Sequence, residues 1–299
     1  MGYIFLFLSV FTNAVKGYCS KRISSDVKTA GNAVTLNLVR NLFVVIVSFA
    51  TGYFTVGKKL FALTYCEIII TAIAGITMAL FLIFWTFAIK TDAYMLVSAS
   101  GSASFVVPSV VGCLVLSEKL TLAKTASFLL IVVALYFLLR YQVKLGGKIS
   151  AKSIALLGGV LLSQGINQSM QKLYVNFIDK DAAAFTAWSF VFTVIALIVG
   201  KVILPNENPS DDKELVKNNF LYIIIMAAGL FCSSYFQTAA ASFMDAIILY
   251  PLSSALSLVA GSTMAALCFK EKIKRDCVIG TIVVFVALVL SRADVLFVK

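Results

Sequence analysis

Residues 91–121 read TDAYMLVSASGSASFVVPSVVGCLVLSEKLT, and residues 244–274 read MDAIILYPLSSALSLVAGSTMAALCFKEKIK. At a gap-free offset of 153, Asp92 meets Asp245, Ala93 meets Ala246, Leu96 meets Leu249, Ser100 meets Ser253, Ser104 meets Ser257, and Glu118-Lys119 meets Glu271-Lys272. Extended over 88–139, the alignment holds 14 identities in 52 positions, about 27%. Composition bias supplies some of these matches. The equal spacing of Asp92 to Glu118 and of Asp245 to Glu271, 26 residues each, is harder to attribute to composition. An offset of 154 also pairs Ser9 with Ser163 and Asn13 with Asn167. The chain therefore reads as a duplicated unit, 1–145 followed by 150–299.

The setting of this repeat follows from composition. Of 299 residues, 61% are hydrophobic and 13% charged, with a mean hydropathy of +0.98. Soluble domains carry roughly 45–50% apolar and about 25% charged residues, so a water-soluble domain is excluded. Apolar runs fall at about 2–20, 32–54, 67–89, 94–116, 121–141, 153–177, 183–204, 219–241, 246–268 and 276–297. They are about twice the length of a barrel strand and continuously apolar, so they predict ten transmembrane helices of an all-α membrane protein. The longest polar link, Pro205 to Asn218, carries Glu207, Asp211, Asp212 and Glu214. Five spans per repeat is an odd number, so the second repeat enters the membrane from the opposite side. Inverted halves of this kind are typical of transporters, whose alternating access follows from exchange between the two conformations.

Charge and special residues narrow the chemistry. There are 25 Lys and Arg against 14 Asp and Glu, and no His. Without His, imidazole metal sites, Ser-His triads and His proton shuttles are excluded. The net charge of +11 reads as headgroup-facing loops, with the lipid bilayer as a partner, and not as a nucleic-acid surface. The six Cys are scattered without a CxxC pair, which predicts neither a disulfide framework nor a metal site. Residues 1–15 lack a basic leader and a small-residue cleavage site, and read as a retained first span. There is no Walker A motif, no cofactor motif is found, and no carboxylate lies mid-span, so ATP-driven pumping and a carboxylate proton relay are both unsupported.

Polar residues inside the spans mark the candidate cavity. Ser9, Thr12, Asn13, Lys16 and Ser20 follow helical spacing on one face of span one; Asn37, Arg40, Asn41 and Ser48 do so in span two, and Gln164, Asn167, Gln168 and Gln171 in span six. Such groups either bond neighbouring helices, at about 0.6–2 kcal/mol each, or line a substrate path. Arg40 stands apart, eight residues into its run with no acidic residue at comparable depth in any span. A guanidinium there is either held by backbone carbonyls or is the partner of a substrate carboxylate or phosphate. Lys16, Lys124, Lys172 and Lys201 lie within a turn or two of helix ends, where snorkelling accounts for them. Pro108 and Pro251 interrupt spans four and nine, which also carry small-residue tracts containing Ser98, Ser100, Gly101, Ser253 and Gly261. Interrupted helices at corresponding places predict the centre of a transporter, with close small-residue packing as the structural alternative. Trp85, Trp188, Tyr235, Gln237 and Tyr250 join the predicted cavity lining, while Asp92, Glu118, Asp245 and Glu271 are predicted helix-end charges.

Several of these features coincide in one family. Two five-helix repeats, the span-two Arg in LNLVRNLF (36–43), VVPSVVGCLVLSEKLT (106–121), LVAGSTMAALCFKEKI (258–273) and the first-span ending NAVKGYCSKRIS (13–24) resemble the EamA-like branch of the drug/metabolite transporter superfamily. The resemblance covers nearly the whole chain through loose motifs. It implies export or exchange of amino acids, related metabolites or xenobiotics by a non-enzymatic multi-pass protein of the plasma membrane, as monomer or homodimer. The chain departs from that family where Phe11-Thr12-Asn13 replaces the usual aromatic-Gly pair, and it has no span-one Glu of the multidrug-antiport kind. The family places both termini in the cytoplasm. The charge rule disagrees: the termini-bearing side collects Lys58, Lys59, Lys119, Lys124, Lys172, Lys180, Arg292 and Lys299, eight basic residues against 16 opposite. An organic-anion or phosphate-ester exchanger using Arg40 is the alternative transport reading. A membrane-embedded enzyme or non-transporting scaffold is the competing class, and the missing His and mid-span acids weigh against the enzyme.

Overall fold

The computed structural model describes residues 1–23, 26–27, 29–90, 100–118, 121–143, 151–178, 181–203, 209–269 and 275–290. The described residues form helices α1 (Gly2–Ile23), α2 (Ala30–Val56), α3 (Tyr65–Lys90), α4 (Val106–Leu114), α5 (Leu122–Val143), α6 (Ala151–Phe177), α7 (Ala182–Ile203), α8 (Pro209–Asn218), α9 (Phe220–Ala241), α10 (Ala246–Phe269) and α11 (Arg275–Leu290). There is no strand among them. Four stretches are long and apolar enough to cross a membrane: Gly31–Phe61, Tyr65–Ala88, Ala182–Ile203 and Phe220–Ala241. Ser100–Leu114, Thr125–Ala134, Ala246–Ala260 and Val278–Ala287 are shorter apolar helices.

The helix ends obey local chemistry. At α2, Thr29 is extended and its hydroxyl accepts from the Asn32 amide, while the Asn32 side chain accepts from the Thr29 amide. Thr64 and Glu67 make the same reciprocal cap on α3. Asp181 accepts from the Ala183 amide at the start of α7, at 2.7 Å. The run before Val106 is helical from Ser100 and turns at Ser104 and Phe105, so Pro108 falls in the first turn of α4, where its missing N–H is harmless. Its repeat-related span behaves differently, because α10 continues unbroken through Pro251.

The packing interleaves the two halves of the chain. The most extensive helix contacts are α1 with α9, α3 with α6, α5 with α11 and α2 with α7, each joining a helix of the first half to one of the second. Gly2 lies against Phe243 and Met244, and Ile23 packs in one cluster with Ile223, so α1 and α9 run antiparallel. The main core gathers on α10, where 246–256 are all buried. Outward faces carry apolar stripes at helical spacing: Ile4, Phe7, Leu8 and Phe11 on α1; Ile69, Ile73, Ile76 and Leu80 on α3; Ile195, Ile198, Val199 and Val202 on α7. Such stripes on so many elements exceed what a water-exposed surface carries.

Candidate functional site

Two groups of buried polar residues stand out, and they differ in how well each is satisfied. The first is at the end of the bundle bearing Gly2 and Ala241. After α4 the chain turns at Ser117 with φ +51°, returning the Glu118 carboxylate to the start of α10. There it accepts from the Ala246 amide at 2.8 Å and from the Ile247 amide at 3.3 Å. Gly112 makes room, since a Cβ would meet Glu118 Oε2 at 2.7 Å and the Ala246 Cβ at 3.0 Å. Lys172 of α6 approaches Glu118 Oε1 at 3.5 Å, and donates to the Ala241 and Met244 carbonyls at 3.0 and 2.7 Å. One lysine and one glutamate thus cap the end of α9 and the start of α10 at once.

The second group lies toward the opposite end and is not satisfied. Arg40 is 6% exposed, and its Nε and Nη2 have no hydrogen-bond partner. Asn41 spends its amide on the Asn37 carbonyl at 2.6 Å, leaving Oδ1 unpartnered, and the buried Ser48 hydroxyl is unpartnered as well. Lys16 of α1 is half-buried toward the same end. Among the described residues no hydrogen bond or ion pair reaches the Lys16 ammonium. Buried polar groups are ordinarily paired, so the orphans on Arg40, Asn41 and Ser48 call for water, an ion or a ligand.

The other candidate residues divide between cross-links and open positions. Asn167 donates to the Ala74 carbonyl at 2.8 Å, tying α6 to α3. Gln168 is a hub, accepting from Ser104 at the break before α4 at 3.3 Å, while its carbonyl accepts from Tyr250 at 2.7 Å. Ser100 donates to the Leu157 carbonyl at 2.6 Å. Trp188 donates to the Leu60 carbonyl at 2.9 Å and meets Phe49 edge-on, pinning the turn after α2. Trp85 packs on Phe81 and closes over Gly101. Asn37 donates to the Ala33 carbonyl at 2.9 Å of its own helix and borders a small concavity with Leu82, Thr86 and Leu197. Gln171 is buried with Oε1 unpartnered. Asn13, Gln164, Tyr235 and Gln237 are half-buried, and Ser253 is buried on α10. Gly261 lies within α10 and Asp245 just before it. Ser98, Asp92 and Glu271 lie outside the described residues.

Closeness to helix ends assigns Lys16, Lys124, Lys172 and Lys201 to snorkelling; the structure corrects this for Lys172 and Lys201, and the Lys124 side chain lies outside what is described. Lys201 donates to Thr35 at 2.6 Å, to Asp212 of α8 at 2.7 Å and to the Gly31 carbonyl at 3.3 Å. Asn32 adds a hydrogen bond to Asp212 at 3.0 Å. Burial pushes the Asp212 carboxyl up, but hydrogen bonds from Lys201, Asn32 and Thr35 and the Lys201 charge outweigh it, leaving a net lowering. Lys172 and Lys201 thus have acidic partners, and Lys16 is the exception. The signal for it is present in the sequence, since it shares a face with Ser9, Thr12 and Asn13.

No family model matches the chain, and no curated protein matches it. A solved structure described as "Crystal structure of protein" is similar with a TM-score of 0.77 at 12% identity, over 97% of this chain and 96% of its own. At that identity the likeness is one of fold.

Proposed function

We propose that this chain is a secondary transporter of small metabolites, built from ten membrane-crossing helices as two inverted repeats, and working by alternating access between its halves. The pairing of helices carries the reading. If spans one to five correspond to spans six to ten, then α1, α2, α3, α4 and α5 correspond to α6, α7, α9, α10 and α11. Exchanging the halves turns the α1–α9 contact into α6–α3, which is also among the most extensive. The same exchange maps α2–α7 and α5–α11 onto themselves, and both are again major contacts. A duplicated unit related to its copy by an axis in the membrane plane packs in this way, and such pairs exchange outward and inward openings. The EamA-like resemblance points in the same direction, with the plasma membrane as location. Flux of a metabolite panel into proteoliposomes holding the purified chain tests the reading; no movement of any solute counts against it. Cysteines at Lys59→Cys and Lys148→Cys in intact cells test the topology. Labelling by an impermeant reagent at 148 alone supports cytoplasmic termini, and labelling at 59 alone reverses them.

One observation favours a narrower second reading, an organic-anion or phosphate-ester carrier. Arg40 is buried with two unpartnered donor nitrogens, and a guanidinium in that state matches a carboxylate or phosphate with two parallel hydrogen bonds. Loss of anion flux in Arg40→Gln supports it, and unchanged flux removes it.

A further inference from the structure

The anion reading of Arg40 leaves a second charge unaccounted for. Lys16 lies seven residues before the end of α1 at Ile23, and Arg40 ten residues after the start of α2 at Ala30. At a rise of about 1.5 Å per residue, they sit roughly 10 and 15 Å from the same end of the bundle. That end is common to both because Cys19, Ile23, Leu36, Ile223 and Met226 pack in one cluster there. Helix α9 connects them, packing on both α1 and α2. At Gly229 the α1 backbone comes close, with the Thr12 carbonyl at 3.1 Å and the Lys16 Cβ at 3.2 Å from where a side chain would begin. The two cations thus lie at neighbouring depths on the two helices that α9 joins, and neither meets a carboxylate among the described residues.

Arg40 is buried and Lys16 half-buried; like charges in one low-dielectric region raise each other's cost, and desolvation adds to it for the buried guanidinium unless a counter-charge is present. A monoanion leaves one of them uncompensated, whereas two negative charges on one small molecule neutralise both. We propose that Lys16 and Arg40 form one binding site for a dianion, a phosphate monoester or a dicarboxylate, and that Lys16 sets the preference for dianion over monoanion. This rests on the anion reading above and deepens it. Arg40 supplies the planar two-donor grip and Lys16 a compact second charge. Asn13, one turn before Lys16, and the unpartnered Oδ1 of Asn41 lie beside the two cations in sequence, suited to the hydroxyl of a phosphate ester.

The test uses the full-length protein in detergent, with glycerol phosphate, succinate and butyrate as probes at matched ionic strength and ligand-induced thermal shift as readout. The unmodified protein binds at least one of the two dianions at least about tenfold more tightly than butyrate, the effect of one further charged hydrogen bond. Lys16→Met brings that ratio close to one, and Lys16→Arg restores most of it. An order with glycerol phosphate above succinate assigns the phosphate ester, and the reverse order the dicarboxylate. A ratio unchanged in Lys16→Met, with binding still lost in Arg40→Gln, overturns the role of Lys16 and leaves the anion reading standing. Insensitivity of all three probes to Arg40→Gln removes both. If Lys16→Met does not fold, the unmodified protein still decides, since less than about tenfold preference for both dianions overturns the inference.

Discussion

Lys172 and Lys16 are both lysines in the interior of helices that the repeat makes counterparts, α6 and α1, yet their surroundings are opposite. Lys172 is held by Glu118 and two carbonyls, all within 3.5 Å. Lys16 is half-buried and meets no carboxylate among the described residues. The Glu118–Lys172 group closes helix ends, with all three Lys172 donors engaged. The Lys16–Arg40 group has cations without a carboxylate among the described residues, which is a poor way to stabilise a fold and a good way to hold an anion. Burial alone does not separate Lys172 from Arg40, both 6% exposed, and the count of partners does.

The largest expected effect falls on the satisfied group. Glu118→Ala leaves Lys172 buried without its partner and the α10 amides uncapped, at a cost of about 3–5 kcal/mol. The checking measurement is the apparent melting temperature in detergent, and a negligible drop breaks the structural assignment. Arg40→Gln acts in the reverse sense. It lowers anion flux about a hundredfold while the melting temperature stays or rises, because an uncompensated buried charge is removed. A large loss of stability there would make Arg40 structural and erase the contrast. Between these groups the contacts of α3 at Gly75 and at Asn167 serve as controls that make no hydrogen bond to either lysine. A Cβ at Gly75 would lie 2.5 Å from both the Phe192 Cβ and the Ser189 carbonyl oxygen, so Gly75→Ala forces α3 from α7 at about 1–3 kcal/mol. Asn167→Ala removes one inter-helix hydrogen bond to Ala74, worth about 0.6–1.7 kcal/mol, with flux changing in proportion to folded protein.

The smallest effect concerns Lys201 and Asp212, whose side chains are partly exposed. The folded state holds the Asp212 carboxyl below its ordinary value. Its contribution is therefore fully present above the ordinary carboxylate range and is lost as pH falls through the lowered value. At such a site that contribution is about 1 kcal/mol or less. Melting curves from neutral to acidic pH, with Asp212→Asn as the reference lacking this dependence, check the sign.

Some of these features are legible in the order of residues alone. Helical class follows from runs longer than a strand can use, and the polar stripes of α1, α2 and α6 from spacing. Pro108 foreshadows the break before α4, but Pro251 misleads on its own, since α10 runs through it while packed on both sides. Spacing marks Gln168 as polar and inward, but not as the junction of Ser104 and Tyr250. The amphipathic link at 209–218 reads as a loop and is a helix, because Asp212 finds Lys201 and Asn32 and Leu215 finds a buried place.

Composition and run length determined by themselves that the chain is helical and apolar, because those properties are sums over local residues. Which buried charges are paired was decided only in three dimensions. Glu118 and Lys172 are 54 residues apart in the chain and 3.5 Å apart in space. Lys16 and Arg40 are closer in sequence, but what sets them apart is that among the described residues no carboxylate meets either and no hydrogen bond reaches Arg40 Nε and Nη2, which is a property of packing and not of either residue.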